Sequence, residues 1–274
     1  MLRRLMKHIF ARPPAAGESS PVAEAEVQKR MRWALAHARS PLNKHLDIVY
    51  GDLRIGGLGV LALSESCLTD SDAMAPPLKA FRRPLASYIL ARYFLYAMEL
   101  DGGYAECGVF RGTSALFLCR AALTRRPGYA GEGLHLIDSF EGLSQPSAED
   151  LIANHDASRS GVTQGALSAP VEAARNALRE FPRAVIHKGW IPAVFEELPQ
   201  RSWAFVHIDV DLYEPTLACL EYFYPRLCEK GVVICDDYVT PLFPGAQRAW
   251  DLFCSSHGLP FVVLDTGQSV ILKS

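Results

Sequence analysis

Short apolar segments alternate with amphipathic segments from about residue 101 to the end of the chain. The apolar segments predict buried strands near residues 103–109, 133–138, 184–188, 203–209 and 231–236. The amphipathic segments predict helices near residues 113–124, 170–181, 215–227 and 245–257. Strands that alternate with helices in this order form βαβ units around a parallel sheet. The pattern therefore predicts an α/β fold with a mostly parallel, doubly wound sheet.

Two more apolar segments, 260–264 and 268–273, end the chain. Between them stands Asp265-Thr266-Gly267, a sequence typical of a tight turn. Two strands joined by so short a turn predict an antiparallel hairpin, and we place it at an edge of the sheet.

The first 100 residues do not follow this alternation. Residues 1–21 combine a short basic amphipathic helix with a proline-containing linker, and residues 22–100 predict a helical extension or lid. The last helix of the extension is expected to begin at Pro84, because proline suits the first turn of a helix. A terminal amphipathic helix lies on a membrane or packs within an oligomer, and we favour a homo-oligomer. The predicted α/β domain comprises residues 101–274.

One polar segment interrupts the α/β pattern. Residues 143–169 contain serines, glycines, His155 and Asp156, without helical or strand periodicity. Segments of this length without secondary structure are often lids or disordered loops.

Composition and charge exclude several classes of protein. With 49% apolar residues among 274, the chain can bury a large core. Its net charge of −2 gives no basic field for nucleic acid. The sequence contains no apolar run long enough to span a membrane, and its start lacks the apolar core and cleavage site of a signal peptide.

The cysteines indicate a reducing environment. There are seven of them, an odd number, and they form no C-x-x-C pair. Cys107, Cys119 and Cys235 stand in apolar segments. This distribution is typical of reduced, buried thiols in a cytoplasmic protein, and it argues against a disulfide framework or a zinc site.

Carboxylates follow two of the predicted strands. Ligands of an open α/β sheet bind outside the carboxyl ends of its strands. We therefore expect Asp209, Asp236 and Asp237 to converge on one hard divalent cation, which carboxylate oxygens suit. Asp236 and Asp237 reach the same ion only if the chain turns directly after the strand, because neighbouring strand residues face opposite sides. Asp211 ranks below these three, with a cation-bound water or a helix N-terminus as its expected partner.

A glycine turn follows the first predicted strand. Glu106, Gly108 and Gly112 stand in or beside it, and Thr113 opens the next helix. The glycines allow the backbone to approach a ligand closely, and Thr113 or Ser114 is expected to cap the helix. The turn matches neither the dinucleotide G-x-G-x-x-G pattern nor a phosphate-binding G-K-[ST] pattern. An acid at this place favours a cationic or polar ligand.

The next strand ends in an acid, Asp138, which Ser139 and Phe140 follow. An acid at this place typically binds the hydroxyls of a ribose. Phe140 either covers an adenine ring or belongs to the core. A glycine turn, a strand-end acid and two acidic strand ends are together much more specific than any one of them.

Five motifs occur in the order that a known family shows. They are Glu106-x-Gly108…Gly112, Asp138-Ser139-Phe140-Glu141-Gly142-Leu143, Gly189-Trp190, His207-Ile208-Asp209-Val210-Asp211-Leu212-Tyr213 and Asp236-Asp237-Tyr238. The chain resembles the macrocin (tylosin/mycinamicin-type) O-methyltransferases over about residues 80–274. Members of that family use S-adenosylmethionine and magnesium to methylate sugar hydroxyls. The resemblance implies a Rossmann-like class I methyltransferase fold.

The resemblance also implies roles for particular residues. The methionine part of the cofactor would border Glu106, Gly108, Gly112 and Thr113. The ribose would bind Asp138, with Ser139 and Phe140 nearby. The cofactor, or its adenine, would also lie beside Gly189 and Trp190. Magnesium would be held by Asp209, Asp236 and Asp237.

A general base is expected beside the cation. A sugar hydroxyl is a poor nucleophile at neutral pH, and magnesium lowers its pKa only in part. Asp209 is the first candidate for accepting the proton, because it also belongs to the predicted cation site. His207 lies two residues upstream on the same strand face and is the second candidate catalytic residue. Alternatively, His207 is a buried histidine whose hydrogen bonds are satisfied.

Other functions fit a similar fold. An NAD(P)-linked oxidoreductase is disfavoured because the sequence lacks the G-x-G-x-x-G and Tyr-x-x-x-Lys patterns. A metal-dependent hydroxylase would favour an imidazole ligand such as His207. A binding protein that has lost its catalytic activity would not need an acid at all three predicted cation positions. For a methyltransferase the acceptor would be a small molecule or a glycan, chosen by residues 40–80 and 143–169.

Overall fold

The computed structural model describes residues 79–151, 163–240 and 244–274, with side chains from residue 86 onward. The amphipathic segment 1–21 and most of the helical extension 22–100 lie outside these residues, so both stay predictions. The middle of the insert at 143–169 also lies outside them.

Helices and strands alternate through the described part of the chain. The helices are α1 (Lys79–Ala97), α2 (Thr113–Arg125), α3 (Val171–Ala177), α4 (Tyr213–Phe223) and α5 (Pro244–His257). The strands are β1 (Gly103–Cys107), β2 (Leu134–Asp138), β3 (Val185–Lys188), β4 (Trp203–Ile208), β5 (Leu227–Cys235), β6 (Val262–Val263) and β7 (Ser269–Leu272). Short 3-10 turns lie at Ala148–Asp150, Ala193–Glu197 and Tyr224–Arg226.

These strands form one sheet in the order β3-β2-β1-β4-β5-β7-β6. Strands β1 to β5 run parallel, whereas β7 pairs antiparallel with both β5 and β6. Helical crossovers between parallel strands cover both faces of such a sheet. The predicted parallel sheet and its C-terminal antiparallel hairpin are therefore confirmed.

The core holds β1 and β4 side by side. Every residue of these two strands is buried, and apart from Glu106 and His207 their sequences are apolar, as central strands of a parallel sheet require. On one face, Phe94 of α1 packs edge-on against Tyr104 of β1 and Phe205 of β4, with ring centroids 5.0 and 5.3 Å apart. A second cluster includes Phe223 of α4 and Trp250 of α5. Apolar side chains thus pack against β1 and β4 on both faces of the sheet. This pair of strands positions the site described below.

Two predicted helices end early for the same reason. The sequence predicts a helix to residue 227, but α4 ends at Phe223 and a 3-10 turn follows it. Pro225 has no N–H to donate to the preceding turn, so the α-helical hydrogen bonds end there. The helix predicted to residue 181 likewise ends at Ala177, ahead of Pro182.

The described cysteines and helices bear on the redox state of the thiols and on membrane insertion. Cys107, Cys119 and Cys235 are buried free thiols, and the described cysteines form no disulfide, as predicted. Among the helices of residues 79–151, 163–240 and 244–274, none is long and apolar enough to cross a membrane.

Two histidines pair between neighbouring strands. Nδ1 of His135 on β2 lies 3.0 Å from Nε2 of His187 on β3, and their rings are stacked. One nitrogen donates and the other accepts, so the pair requires at least one neutral ring. Burial lowers the pKa of His135 to about 4, and the positive charges of His187 and Arg201 contribute. Burial also lowers the pKa of His187.

We predict that acid weakens the fold through this pair. Unfolded histidines take up protons near pH 6.5, whereas His135 stays neutral in the folded protein down to about pH 4. The unfolded state then binds more protons, so the free energy of unfolding falls as the pH drops through this window. The expected contribution of His135 is at most about 1.4 kcal/mol per pH unit, which urea unfolding at several pH values measures.

The variant His135→Gln provides the control. It keeps a hydrogen-bonding group beside His187 but removes one titrating ring. Its stability should decline less steeply over the same pH window. Equal slopes in the variant and the wild type would show that His135 does not carry the effect.

Candidate active site

The candidate site lies at the carboxyl ends of the parallel strands. From β1 the sheet continues to β2 and β3 on one side, and from β4 it continues to β5 on the other. Such a reversal of strand order opens a crevice where α/β sheets bind ligands. We call residues 108–112, 138–140 and 189–190 the glycine-turn half, and residues 209–211 and 236–237 the acidic half.

The two halves touch at Gly108 and Asp209. Gly108 has a φ of +87°, and a β-carbon on it would lie 1.8 Å from the carbonyl oxygen of Asp209. The amide of Asp209 donates to the carbonyl of Cys107 at 2.8 Å, which continues the β1–β4 pairing past the end of both strands. Glycine is therefore required at residue 108 both by its backbone angle and by the close approach of the next chain.

The carboxylate of Asp138 holds the glycine turn. Its Oδ2 accepts hydrogen bonds from the amides of Val109 and Phe110 at 2.7 and 2.8 Å, and its Oδ1 accepts from Phe140 at 2.6 Å. Phe110 and Phe140 both have positive φ, which is uncommon for aromatic residues, and these bonds stabilise them. A carboxylate has about four lone-pair sites, so three amides leave one for a hydroxyl of a ligand.

The helix after the glycine turn is not capped as predicted. Its N-cap is Gly112, with a φ of +81°, and no side chain of the described residues caps it. Thr113 is the first residue of α2, and the Ser114 hydroxyl donates instead to Oε1 of Glu106, which is fully buried. The capping prediction for Thr113 and Ser114 is therefore wrong, because a buried carboxylate needs donors and takes the serine hydroxyl.

Ser139 and Phe140 are both largely buried. The Ser139 hydroxyl accepts from the amide of Glu141 at 3.1 Å and donates to the carbonyl of Gly142 at 3.3 Å. It therefore closes its own turn. Of the two alternatives for Phe140, its burial favours the core.

Gly189 and Trp190 border the same end of the sheet. The amide of Gly189 donates to the carbonyl of Asp138 at 2.9 Å, which places the two predicted residues side by side. A β-carbon on Gly189 would lie 2.9 Å from Cβ of Val194, so glycine allows this close approach. Trp190 is 39% exposed and offers an accessible aromatic ring.

Three aspartates converge in the acidic half. Carboxylate oxygens of Asp209, Asp211 and Asp237 lie within 4.8 Å of one another. Asp211 has a φ of +63°, a conformation that aspartate adopts more readily than most residues. Asp211 thus joins the group, whereas the sequence predicted Asp236 there. The chain does turn directly after β5, as the prediction required, but Asp236 and Asp237 then meet different neighbours.

The chemistry of this group fits a hard cation. Burial raises the pKa of the Asp209 carboxyl well above its usual range, and repulsion from Asp236 and Asp237 adds to this. The pKa of Asp237 is raised in the same way by burial and by its acidic neighbours. Its buried Oδ2 has no hydrogen-bond partner among the residues that the structure describes. A divalent cation such as Mg²⁺ would relieve the repulsion and bind this oxygen.

His207 lies between the two halves. Its Nδ1 donates to Oε1 of Glu106 at 3.1 Å, and its Nε2 lies 3.5 Å from Oδ1 of Asp236. Burial alone lowers the pKa of His207, but the attraction of the neighbouring acids Asp236 and Glu106 outweighs burial and raises it well above its usual range. A protonated ring that is 1% exposed has no lone pair for a substrate proton. The geometry favours the buried, hydrogen-bonded histidine, and Asp209 stays the candidate base.

One residue that the sequence analysis missed anchors the insert. Asp150 is buried, and its Oδ1 accepts a 2.7 Å hydrogen bond from the amide of Tyr213, the first residue of α4. Its Oδ2 accepts from the amide and the hydroxyl of Ser147 at 2.8 and 2.9 Å. A β-carbon on Gly245 of α5 would lie 1.8 Å from Oδ1. Asp150 therefore ties the insert to the two helices that follow the acidic strand ends.

A local signal for this anchor is present in the sequence. Ser147-Ala148-Glu149-Asp150 has the spacing of a capping box, in which a serine and an acid three residues later bond each other's backbone. This spacing predicts the contact with Ser147. It contains nothing that predicts the contact with α4.

Comparison with known proteins identifies the family. The macrocin O-methyltransferase (TylF) family matches residues 93–268, well over half of the chain. The chain belongs to the macrocin O-methyltransferase family. The matched range includes both halves of the crevice.

Two curated relatives of this family member come from Streptomyces. The 8-demethyl-8-(2,3-dimethoxy-alpha-L-rhamnosyl)-tetracenomycin-C 4'-O-methyltransferase of Streptomyces olivaceus is 31% identical over 143 residues, 51% of this chain and 54% of the relative. The demethyldecarbamoylnovobiocin O-methyltransferase of Streptomyces niveus is 29% identical over 145 residues, 52% of this chain and 54% of the relative. The chain spans about half the length of the curated relatives it matches.

Solved structures of similar fold extend further along the chain. The calicheamicin methyltransferase CalS11 has a TM-score of 0.59 at 20% identity and covers 96% of this chain and 97% of its own. The O-methyltransferase NovP has a TM-score of 0.55 at 21% identity and covers 69% of this chain and 79% of its own. These likenesses confirm the class I methyltransferase fold.

We predict that Gly108→Ala destabilises the protein far more than Gly128→Ala. Both glycines have a φ of +87°, so an alanine at either place carries the same backbone strain of about 1–2 kcal/mol. At Gly128 no atom of the described residues lies within 4 Å of the added carbon, whereas at Gly108 that carbon overlaps the Asp209 carbonyl. We expect the overlap to add at least about 1–3 kcal/mol in urea unfolding. Equal losses in the two variants would contradict the close approach.

We also predict that Asp150→Ala lowers the free energy of unfolding by about 2–4 kcal/mol, because each buried donor left unpaired costs about 1–3 kcal/mol. The neighbouring variant Glu149→Ala is the control. Glu149 is exposed and forms a surface ion pair with Arg248 at 3.5 Å, so its loss should cost less than about 1 kcal/mol. If both variants unfold at the same urea concentration, Asp150 is not an anchor.

Proposed function

We propose that the protein is a magnesium-dependent O-methyltransferase that moves a methyl group from S-adenosylmethionine to a hydroxyl of a sugar, in a natural product or a glycoconjugate. One observation carries this proposal: the glycine-turn half and the acidic half meet in one crevice, in backbone contact at Gly108 and Asp209. The family match supports it. One curated relative is named as a methyltransferase of a rhamnosyl tetracenomycin, and one similar structure as a TDP-rhamnose 3'-O-methyltransferase.

In this proposal the glycine-turn half holds the cofactor. Gly108 and Gly112 adopt the positive φ values that shape the turn, and Asp138 keeps one acceptor site for a ribose hydroxyl. Trp190 offers an exposed ring on which an adenine can stack. Glu106 is fully buried and bound by Ser114 and His207, so we assign it to support of the turn.

The acidic half holds the cation and the acceptor hydroxyl. When bound, the sulfonium of S-adenosylmethionine supplies the methyl group, and Mg²⁺ stabilises negative charge on the acceptor oxygen. Asp209, Asp211 and Asp237 hold the cation through carboxylate oxygens. Asp209 stands where the two halves meet, so its carboxylate is the group placed to accept the hydroxyl proton. Much of the rate enhancement then comes from the alignment of acceptor, methyl carbon and sulfur at this edge.

The family match argues against the oxidoreductase and hydroxylase alternatives. The imidazole that a hydroxylase would use as a ligand, His207, is buried between two acids. A cytoplasmic location and a homo-oligomeric state stay predictions from the sequence.

Calorimetric titration with S-adenosylhomocysteine tests the cofactor, with NAD in parallel. Transfer of labelled methyl from S-adenosylmethionine to a panel of nucleotide-linked and natural-product-linked deoxysugars tests the reaction, with and without EDTA. We expect S-adenosylhomocysteine to bind and EDTA to abolish transfer. Binding of NAD alone would overturn the function, and transfer that is insensitive to EDTA would overturn the role of magnesium.

We predict that Asp237→Asn lowers methyl transfer at least about 100-fold, because it removes one charge from the cation site. The affinity for S-adenosylhomocysteine should stay close to the wild type, and the urea midpoint without a cation should not fall, because the variant removes one of the repelling charges. Asp101→Asn makes the same chemical change on an exposed residue just before β1, at the opposite end of the sheet, and should have no effect. Near wild-type turnover in Asp237→Asn would remove this acid from the cation site.

A further inference from the structure

A buried amide lies behind the acidic half. Gln268 stands between β6 and β7 in the C-terminal hairpin and is 1% exposed. Burying a side-chain amide is unfavourable unless its groups form hydrogen bonds. Nε2 of Gln268 donates to Oδ1 of Asp236 at 2.7 Å, and its Oε1 accepts from the hydroxyl of Thr266 at 2.9 Å. Both ends of the amide are therefore used, and one of them is directed at an acid of the candidate site.

The two partners determine which way the amide points. An ionised carboxylate can only accept hydrogen bonds, so the NH₂ group of Gln268 must face Asp236. The amide oxygen then faces Thr266, whose hydroxyl donates to it. Asp236 thus selects the orientation of Gln268, and Thr266, whose hydroxyl can donate or accept, stabilises it.

The backbone of the hairpin is bound to the same region. The amide of Val239, in the turn after Asp236, donates to the carbonyl of Gly267 at 2.8 Å. The amide of Leu264 donates to the carbonyl of Gln268 at 2.9 Å and closes the hairpin. Gln268 therefore approaches Asp236 from a direction that the backbone fixes.

Asp236 is held from the side of the protein interior. Its Oδ1 accepts from Gln268 and lies 3.5 Å from Nε2 of His207, and both of these partners are buried. The Asp236 side chain is itself 35% exposed, so it borders the crevice beside Asp237. Gln268 and His207, which are buried behind the crevice, therefore contribute to its orientation.

We propose that Gln268 is a positioning residue for the cation site, with Thr266 stabilising its amide oxygen. Gln268 holds Oδ1 of Asp236, so that this carboxylate can join Asp209, Asp211 and Asp237 as a further ligand when a divalent cation binds. Outer hydrogen-bond partners of this kind orient carboxylates at metal sites, and their loss typically lowers metal affinity by about 10- to 100-fold. The inference rests on the proposed function, because it requires a divalent cation at the acidic half.

Mn²⁺ binding to the purified full chain, measured by electron paramagnetic resonance, tests the proposal without an acceptor. Gln268→Met keeps the volume of the side chain but removes the donor, and we expect it to weaken Mn²⁺ binding by about 10- to 100-fold. Thr266→Val removes only the hydroxyl and should shift the affinity in the same direction by a smaller factor. Thr266→Ser keeps the hydroxyl and should restore the wild-type affinity.

Ser269→Ala is the matched control. Ser269 adjoins Gln268 and is fully buried, and its hydroxyl has no hydrogen-bond partner within the described residues. This variant should bind Mn²⁺ like the wild type. All four variants should bind S-adenosylhomocysteine within about twofold of the wild type, because the glycine-turn half is untouched. In turnover, Gln268→Met should lower kcat and leave the KM for S-adenosylmethionine unchanged.

The outcomes separate the two proposals. Wild-type Mn²⁺ affinity in Gln268→Met, or an equal loss in Ser269→Ala, would overturn the role of Gln268 and leave the methyltransferase proposal intact. A wild-type protein that binds S-adenosylhomocysteine but no Mn²⁺ would overturn both the cation site and the role of Gln268. If Gln268→Met does not fold, the Mn²⁺ affinities of the two Thr266 variants test the role of Gln268. Wild-type affinity in Thr266→Val, or an equal loss in Thr266→Ser, would overturn it.

Discussion

The candidate site depends on the close approach of Gly108 and Asp209. Here the chain leaving β1 and the chain leaving β4 are so near that a single β-carbon would overlap a carbonyl oxygen. Parallel pairing brings the two strand ends to the same level, and the bond from the Asp209 amide to Cys107 keeps them there. Because of this contact, a ligand on the glycine turn would lie beside a ligand on the acids, which a transfer between two bound molecules requires.

The acids of the crevice differ in what surrounds their carboxylates. Three acids in and around the crevice accept hydrogen bonds from the protein: Asp138 and Asp150 from backbone amides, and Oε1 of Glu106 from Ser114 and His207. Asp209 and Asp237 instead face other acids, and their pKa values rise because of burial and this repulsion. Burial of like charges is unfavourable without a counter-charge. A divalent cation bound by Asp209 and Asp237 would supply that counter-charge.

Strained backbone also concentrates at this edge of the sheet. Phe110, Phe140 and Asp211 have positive φ; the two phenylalanine amides bind the Asp138 carboxylate, and Asp211 is one of the three converging acids. Such conformations persist only where the surroundings over-determine them. For the two phenylalanines the Asp138 carboxylate provides this support, so a single side chain both shapes the turn and keeps an acceptor for a ligand.

The sequence by itself determined the succession of strands and helices, the closing hairpin, the glycine turn and the acids at strand ends. Periodicity and turn chemistry act over a few residues, so a linear pattern contains them. Which acids meet was decided by the tertiary structure, since Asp211 joins Asp209 and Asp237 only through the direction the chain takes after β4. The bond from the Tyr213 amide to Asp150 spans 63 residues, and the bond from Gln268 to Asp236 spans 32. Contacts between such distant segments arise from packing and leave no periodic trace in the sequence.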